Sequence, residues 1–344
     1  MNDSLKIGLI GAGNWGRNYV RNLAVLGVLH AVCDQSEQAL AWITAQYPSV
    51  VPCQSVQALV AMEELDGVVI ATDTPQHHPV ARELLEAGKH CHVEKPLTGS
   101  PDTARELCEI ADRQQLVLSV GHILLYHPAV EYLKTMIEHN ELGEVYYISA
   151  VRSNLGQIRR TENAMWSLAP HDISVVQYLL DKEPVSVSAT GRAFVQSAAD
   201  IHDVTHLTMH FDDQCLASIT SSWLDPEKVR LLKVVGSEKM VVFDDMDPRY
   251  KLQVHHKGVD WEQFDEPVAG SALKVRSGDV HVPFIRPTEP LRAECEEFLR
   301  CIRNGDKPRA DGWQGYQNVR ILAAADLSIK RSGEPVRLDE ESLV

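Results

Sequence analysis

The sequence lacks any apolar run approaching the roughly 20 residues needed to cross a bilayer; runs such as GVVIA and LVLSV stop far short of that. Its start, MNDSLKIGLIGAG, shows neither a signal-peptide core nor a cleavage site, so the expectation is a cytoplasmic chain with no membrane partner. Cysteine pairs are missing too. The seven cysteines, at 33, 53, 91, 108, 215, 295 and 301, are odd in number, scattered and without a C-x-x-C spacing, which argues against a disulfide framework and for reduced core residues. Positive charge is scarce: 33 Lys and Arg face 48 Asp and Glu, a formal charge of −15. Such a balance opposes general attraction to nucleic acid or an anionic membrane, so an anionic ligand needs a local cationic pocket. Internal repeats are absent. What remains is a chain of 344 residues, 44% hydrophobic, long enough to divide its core between two domains.

From residue 5 to 121, β-like runs alternate with helix-like stretches: LKIGLI, a helix from Asn14, LHAVCD, a helix from Ser36, GVVIA, a helix from Gln76, HCHV, a helix from Ser100, then LVLSVG. This alternation predicts βαβ units, and hence an α/β domain whose parallel sheet is covered on both faces. Ser100 can cap its helix, Pro101 suits the first turn and Asp102 complements the dipole, while Gly27 and Gly88 fall where helices should stop. GHILLYHPAVEYLKTMIEHNELG reads as a crossing helix closed by Gly143. Beyond it the period changes to two: EVYYISAVRS, PVSVSATGRAFV, DVTHLTMHF, QCLASITSSW, VRLLKVV and KMVVFDD alternate, interrupted by one helix, HDISVVQYLL. These predict an α+β domain with an open, mainly antiparallel sheet. A polar stretch at 257–280 reads as loop or irregular strand. Last, PLRAECEEFLRCIRNG sets Leu291, Cys295, Phe298, Leu299 and Ile302 on one helical face, and a further helix follows from about Trp313 to Ser332. The expected division is one domain over 1–122 and a second over 123–344, with the helices from about 290 able to return to the first.

IGLIGAGNWGRN carries G-x-G-x-x-G as Gly11, Gly13 and Gly16, directly after a strand and opening a helix, with Asn14 and Trp15 inside the turn. The three glycines serve the tight turn, the approach of backbone to a pyrophosphate and the packing of helix on strand. Asp34 ends the second strand eighteen residues past Gly16, near the spacing at which a carboxylate meets ribose hydroxyls. That carboxylate repels a 2′-phosphate and no arginine follows closely, so NAD is favoured over NADP. Thr72, Thr74 and His77 in ATDTPQHH follow the next strand at the ligand-binding edge, where they read as cofactor contacts or as ordinary cap and turn residues. HCHV ends at that same edge, so Glu94 and Lys95 emerge beside it, with Pro96 setting a turn whose preceding bond can be cis. From position alone, Glu94 and Lys95 fit a cofactor-site pair and an exposed ion pair equally.

IGLIGAGNWG, EKPLT, GHILLYHPAV and NAMWSLAPHDIS, in this order, resemble the Gfo/Idh/MocA oxidoreductase family along essentially the whole chain. The resemblance implies an α/β Rossmann, NAD-binding domain over 1–122 and a substrate-binding and oligomerisation α+β domain with an open, mainly antiparallel sheet over 123–344. The resemblance implies a catalytic Lys95 that donates to the substrate hydroxyl or carbonyl oxygen, often before a cis proline bond; an ammonium suits an oxygen that becomes alkoxide-like as hydride leaves. Many members carry an aspartate four residues before a histidine in the second motif. This chain keeps His171 but has Ser167 at the aspartate position, which leaves His171, helped by Lys95, to take the proton. Asp172 reads as a helix-start residue. MWSLAPHDIS, DVTHLTMHF and EPLRAECEEFLRCIRNGDKPRADG further resemble a subgroup that oxidises a ring hydroxyl, commonly C3 of a UDP-N-acetylhexosamine or its uronate. For such a substrate Arg152, Arg159 and Arg160 would meet the diphosphate, or else form a solvated loop, and His122, Tyr126, Asn163 and Trp166 would line the sugar pocket beside His171. Relatives pair through the open sheet, so a homodimer or homotetramer is expected. Two rivals stay open: a dehydrogenase of a free polyol or monosaccharide, and a nucleotide-binding regulator without turnover. His202, His206 and His210 recur every four residues, but strand geometry spreads them over roughly 27 Å, and no metal is expected.

Overall fold

The alternation read over the first third exists because its β-runs are mostly apolar, as strands covered on both faces are. In the computed structural model, which describes residues 5–156, 158–261 and 273–339, these runs become β1 (Ile7–Ile10), α1 (Gly16–Val25), β2 (Leu29–Cys33), α2 (Glu37–Gln46), β3 (Val51–Cys53), α3 (Val56–Val60), β4 (Gly67–Ile70), α4 (Thr74–Glu86), β5 (His90–Val93), α5 (Pro101–Gln114) and β6 (Leu118–Val120). The six strands are all parallel in the order β3-β2-β1-β4-β5-β6. That is the doubly wound nucleotide-binding order, whose switch point lies between β1 and β4. Ser100 accepts from the Thr103 N–H as the cap of α5, and Gly27 and Gly88 take positive φ just past α1 and α4. α4 begins at Thr74, two residues before the expected Gln76, because Pro75 occupies its first turn. The short pair β3 and α3 was not anticipated; three residues containing Pro52 present no pattern to read.

After a single 3₁₀ turn at Ile123–Tyr126 come α6 (Pro128–Glu138), β7 (Val145–Ser153), α7 (Ala164–Leu180), β8 (Ser186–Arg192), β9 (Val204–His210), β10 (Leu216–Ser222), β11 (Val229–Gly236), β12 (Met240–Asp244), β13 (Leu252–His255), β14 (Gly258–Trp261), β15 (Leu273–Arg276), β16 (Val280–His281), α8 (Pro290–Asn304), α9 (Gly312–Lys330) and β17 (Val336–Arg337). Nine of these strands form one mixed sheet, β16-β13-β12-β11-β7-β10-β9-β8-β17, parallel only between β7 and β10. Period two is visible in burial: Ile148, Ala150, Leu207, Met209, Ala217 and Ile219 are buried, whereas Tyr147, Leu216 and His206 on the opposite face are exposed. The helix α7 packs on the buried face against β7, β9 and β10.

Three expectations are corrected. α6 ends before His139 and the turn passes through Asn140 at positive φ; Gly143 stands beyond the helix, not at its cap. α7 starts at Ala164, seven residues ahead of His171, so Asp172 lies in mid-helix instead of at its start. Pro170 masked this, since it reads as a helix breaker, yet it lies inside α7. Of the polar stretch 257–280, residues 262–272 lie outside the described residues; on either side of them β14 pairs with β15.

Among the described residues the chain forms two compact units, one within Met1–Tyr126 and Thr288–Ala323, the other within His127–Pro287 and Ala324–Glu341. α8 belongs to the first, where Leu291, Cys295, Phe298 and Leu299 join the apolar cluster of Ile7, Tyr19, Val20 and Leu23. Gly305 closes α8 in the left-handed conformation. All seven cysteines are buried and free.

Candidate functional site

In the first unit the glycine loop leaves β1 beside the switch point. A Cβ on Gly11, at φ +91°, would stand 2.5 Å from the Ala71 carbonyl, and one on Gly16 would stand 1.9 Å from the Gly11 carbonyl, so neither position admits a side chain. Gly13 is different. Nothing lies within 4 Å of the place its Cβ would take, so the bare backbone there faces open space. Asp34 ties the loop to β2, its Oδ2 accepting from the Ala12 N–H at 2.6 Å and its Oδ1 from the Ser36 N–H at 2.8 Å. Trp15, the N-cap of α1, makes no side-chain hydrogen bond to the first helical turn; the Arg17 and Asn18 N–H groups donate to the Gly13 and Trp15 carbonyls, and the positive end of the helix dipole favours an anion there.

The ends of β4 and β5 meet around this loop. His77 is buried, with its ring nitrogens 2.9 Å from the Pro96 carbonyl and 3.0 Å from the Thr72 carbonyl. It thus stands between the two strand ends, while Thr74 opens α4. Thr72 Oγ1 is buried with no hydrogen-bond partner among the described residues. Glu94, also buried, is where the lines converge: Oε1 accepts from the Tyr19 hydroxyl at 2.8 Å and from the Trp15 indole, and Oε2 accepts from the Lys95 backbone N–H at 3.1 Å. The Lys95–Pro96 bond is cis. Lys95 itself is half-buried. His122 lies within reach of its charge: burial first, then Lys95, then His92 pull the His122 imidazole down to about 3. His122 is 1% exposed, and neither ring nitrogen has a partner among the described residues. Tyr126 is buried, its hydroxyl donating to Glu297 at 2.6 Å and its ring under the Arg309 guanidinium at 5.1 Å.

A dinucleotide fits this half: bare backbone at Gly13, an uncapped helix start, an acid after β2 and an orphaned hydroxyl at Thr72 are the features its pyrophosphate, ribose and amide need. Asn14 and Trp15 flank that backbone, and Trp15 is 44% exposed.

In the second unit α7 presents the other motif. Asn163 caps it, accepting from the Trp166 N–H, and both Asn163 and the Trp166 indole donate to Asp326, at 3.1 and 2.6 Å. Burial holds the Asp326 carboxyl above its ordinary range, against these two donors. Ser167 and His171, four residues apart, share a helical face; Ser167 is buried and His171 partly so. Arg152 on β7 forms a bidentate pair with Asp172, at 2.7 and 2.9 Å, and is only 9% exposed. Its fork is thus largely occupied by protein. Arg159 and Arg160 are exposed, Arg159 pairing with Glu162 at 3.2 Å. No group of three or more metal-ligating side chains occurs among the described residues, and no helix there is long and apolar enough to cross a membrane.

Two residues of this machinery went unnoticed in the sequence. Tyr19 and Glu294 both reach Glu94's surroundings, Tyr19 from α1 and Glu294 from α8. Only the apolar stripe around Glu294 hinted that it would be buried.

Residues 5–122 match the model of an oxidoreductase family with an NAD-binding Rossmann fold, and residues 130–242 match the Gfo/Idh/MocA C-terminal domain. The chain belongs to the Gfo/Idh/MocA oxidoreductase family. It is similar to UDP-N-acetylglucosamine 3-dehydrogenase of Acidithiobacillus ferrooxidans, 29% identical over 93% of this chain and 95% of the relative. The solved structure of that enzyme covers 98% of this chain and 99% of its own, with a TM-score of 0.78 and 26% identity. Inositol 2-dehydrogenase of Rhizobium meliloti is 24% identical over 96% of this chain and 98% of its own. This protein is accordingly an oxidoreductase of the sugar and polyol dehydrogenase family with an NAD-binding domain.

Proposed function

We propose that the protein is an NAD-dependent dehydrogenase that oxidises a secondary ring hydroxyl of a sugar, C3 of a UDP-N-acetylhexosamine or its uronate being the first choice. The observation that carries this reading is Lys95, half-buried at the end of β5 in the unit that holds the glycine loop, its backbone pinned by Glu94. The cofactor, held by Gly11, Gly13, Asn14, Trp15, Gly16, Asp34, Thr72, Thr74, His77 and Glu94, would accept the hydride. Lys95 binds the hydroxyl oxygen and favours the negative charge that grows on it as the C–H electrons leave. His171 takes the hydroxyl proton, so that one carbinol yields one ketone, one hydride and one proton. NAD over NADP follows from Asp34, a carboxylate fixed by two backbone N–H groups where a 2′-phosphate would need a cation.

For the sugar end we retain His122, Tyr126, Arg159, Arg160, Asn163 and Trp166 as the group nearest in chemistry to a pyranose diphosphate. Arg152 enters this group as a positioning residue, because Asp172 already fills its fork. The exposed face of the nine-stranded sheet, with Tyr147 and Leu216, is the surface through which we expect two copies to pair.

A second reading, oxidation of a free polyol, is favoured by the inositol dehydrogenase among the relatives and by the engagement of Arg152. NADH formation with a panel of UDP-sugars, free hexoses and inositols separates the two. Turnover confined to UDP-sugars supports the first choice, turnover confined to free polyols replaces it, and tight NADH binding without any turnover would make the protein a regulator.

A further inference from the structure

Helix α8 carries an acid on its buried face. Glu294 is 1% exposed, its Oε2 lies 3.4 Å from the Tyr19 hydroxyl and 3.8 Å from His92 Nε2, and its Oε1 has no hydrogen-bond partner among the described residues. An ion in that position would cost several kcal/mol without compensation, so the acid keeps its proton; burial, and then the charge of Glu94, raise it well above the usual carboxylate range. The proton inventory of the cluster then closes. Burial pulls His92 down to about 3, so its ring is neutral. Ser119 Oγ lies 2.8 Å from His92 Nδ1; with Ser119 donating there, Nε2 bears the hydrogen and donates to the Tyr19 oxygen at 3.0 Å. Protonated Glu294 aims a second donor at that oxygen. Tyr19, kept as a phenol by burial and by the charge of Glu94, sends its own hydrogen to Glu94.

We propose that Tyr19 and Glu294 are positioning residues: with neutral His92 they hold the Glu94 carboxylate in the single orientation that receives both the Trp15 indole and the Lys95 backbone N–H. The glycine loop and the lysine turn are thereby set by one buried anion, and that anion by one phenol. This rests on the reading of Lys95 as the group that binds the substrate hydroxyl. Glu294 contributes as a neutral donor, not as a charge, and this distinguishes it from an ordinary second carboxylate.

The test uses the full chain, NADH binding followed by the nucleotide's own fluorescence, and turnover on whichever of UDP-N-acetylglucosamine and myo-inositol is oxidised. Tyr19→Phe keeps the ring and removes the hydrogen; NADH affinity should fall about tenfold and kcat by a similar factor, as for a lost hydrogen bond to a charged group. Glu294→Leu should behave alike. Glu294→Gln, which preserves a neutral donor, should recover both quantities to within about threefold. Thermal melts check folding, and because Tyr19→Phe leaves the core volume intact, it carries the test even where Glu294→Leu is unstable. Unchanged NADH affinity in Tyr19→Phe overturns the proposal, as does Glu294→Gln impaired as deeply as Glu294→Leu. Lys95→Ala is measured in parallel: normal turnover there defeats the reading of Lys95 and leaves the NADH arm to judge Tyr19 and Glu294 independently.

Discussion

Lys95 donates its backbone N–H to the side chain of the residue before it, Glu94, at 3.1 Å. The lysine turn is therefore anchored by its main chain. Replacing the side chain should leave that anchor in place. For Lys95→Ala we expect kcat to fall about 10²- to 10³-fold, the loss found when one donor to a developing oxyanion is removed, while NADH affinity stays within about threefold. Steady-state kinetics beside NADH titration decide it; a kcat near that of the natural chain would remove Lys95 from the chemistry.

Arg152 and Asp172 make a second kind of pair, bidentate and buried between β7 and the middle of α7. Burial alone would pull the guanidinium down, but Asp172 more than offsets it. Asp172→Ala should destabilise the fold by about 3–5 kcal/mol, because it strands a buried cation. Arg152→Met combined with Asp172→Leu should recover most of that loss. Urea denaturation of the three chains measures the difference, and a double variant no better than Asp172→Ala would mean that the pair is wanted for its charge.

That pair shows where the sequence could and could not be read. The glycine loop, Asp34 and the E-K-P turn are local: each needs only a strand before it, and short runs rich in apolar residues announce those strands. Arg152 and Asp172 are twenty residues apart, and nothing in either segment says that a strand and a helix will lay them together. Taken singly, Arg152 resembles a cation for a phosphate and Asp172 a helix start. Glu294 was hidden in another way, since AECEEF holds three glutamates and such a run usually marks a solvated face. Its neighbours Leu291, Cys295 and Phe298 defined the buried stripe correctly, and Glu294 falls inside it by the same 3.6-residue period. The alternating strands of the second half were legible for the reason that one of their faces is exposed; the brief β3, β16 and β17 were too short to alternate.

His122 makes the stability depend on pH in a definable direction. Its folded-state value is near 3 against an ordinary 6.5, so between these limits the unfolded chain binds a proton that the folded chain refuses. Stability contributed by the neutral ring is present above about pH 6.5 and is lost as pH falls toward 3, by about 1.4 kcal/mol per pH unit. His92, depressed in the same way by burial, adds a parallel loss. His122→Phe fills the same space without a titrating group or orphaned nitrogens. It should gain stability over the natural chain, and the gain should widen by about 1.4 kcal/mol for each unit between pH 6 and pH 4. Denaturation midpoints at pH 7, 6 and 5 read this out, and a gap independent of pH would contradict a buried neutral imidazole.

Asp34 offers the sharpest check on the cofactor, because its two oxygens are already committed to Ala12 N–H and Ser36 N–H at 2.6 and 2.8 Å. A carboxylate has about four acceptor positions, so each oxygen can still receive one ribose hydroxyl, whereas a phosphate brings no hydrogen to share and a like charge to repel. Two effects of removing it can then be separated. Asp34→Ala frees the glycine loop from β2, which weakens NADH and NADPH alike; it also abolishes the repulsion, which favours NADPH alone. NADH affinity should therefore drop about tenfold, and the preference for NADH over NADPH should shrink by a larger factor than NADH binding itself. Adding Gln35→Arg to that variant supplies a cation beside the vacated position and should carry the preference past parity toward NADPH. Paired titrations with the two nucleotides give the ratio directly. If Asp34→Ala lowers both affinities equally, the aspartate serves only as the loop's tether, and the proposed preference for NAD loses its basis in Asp34.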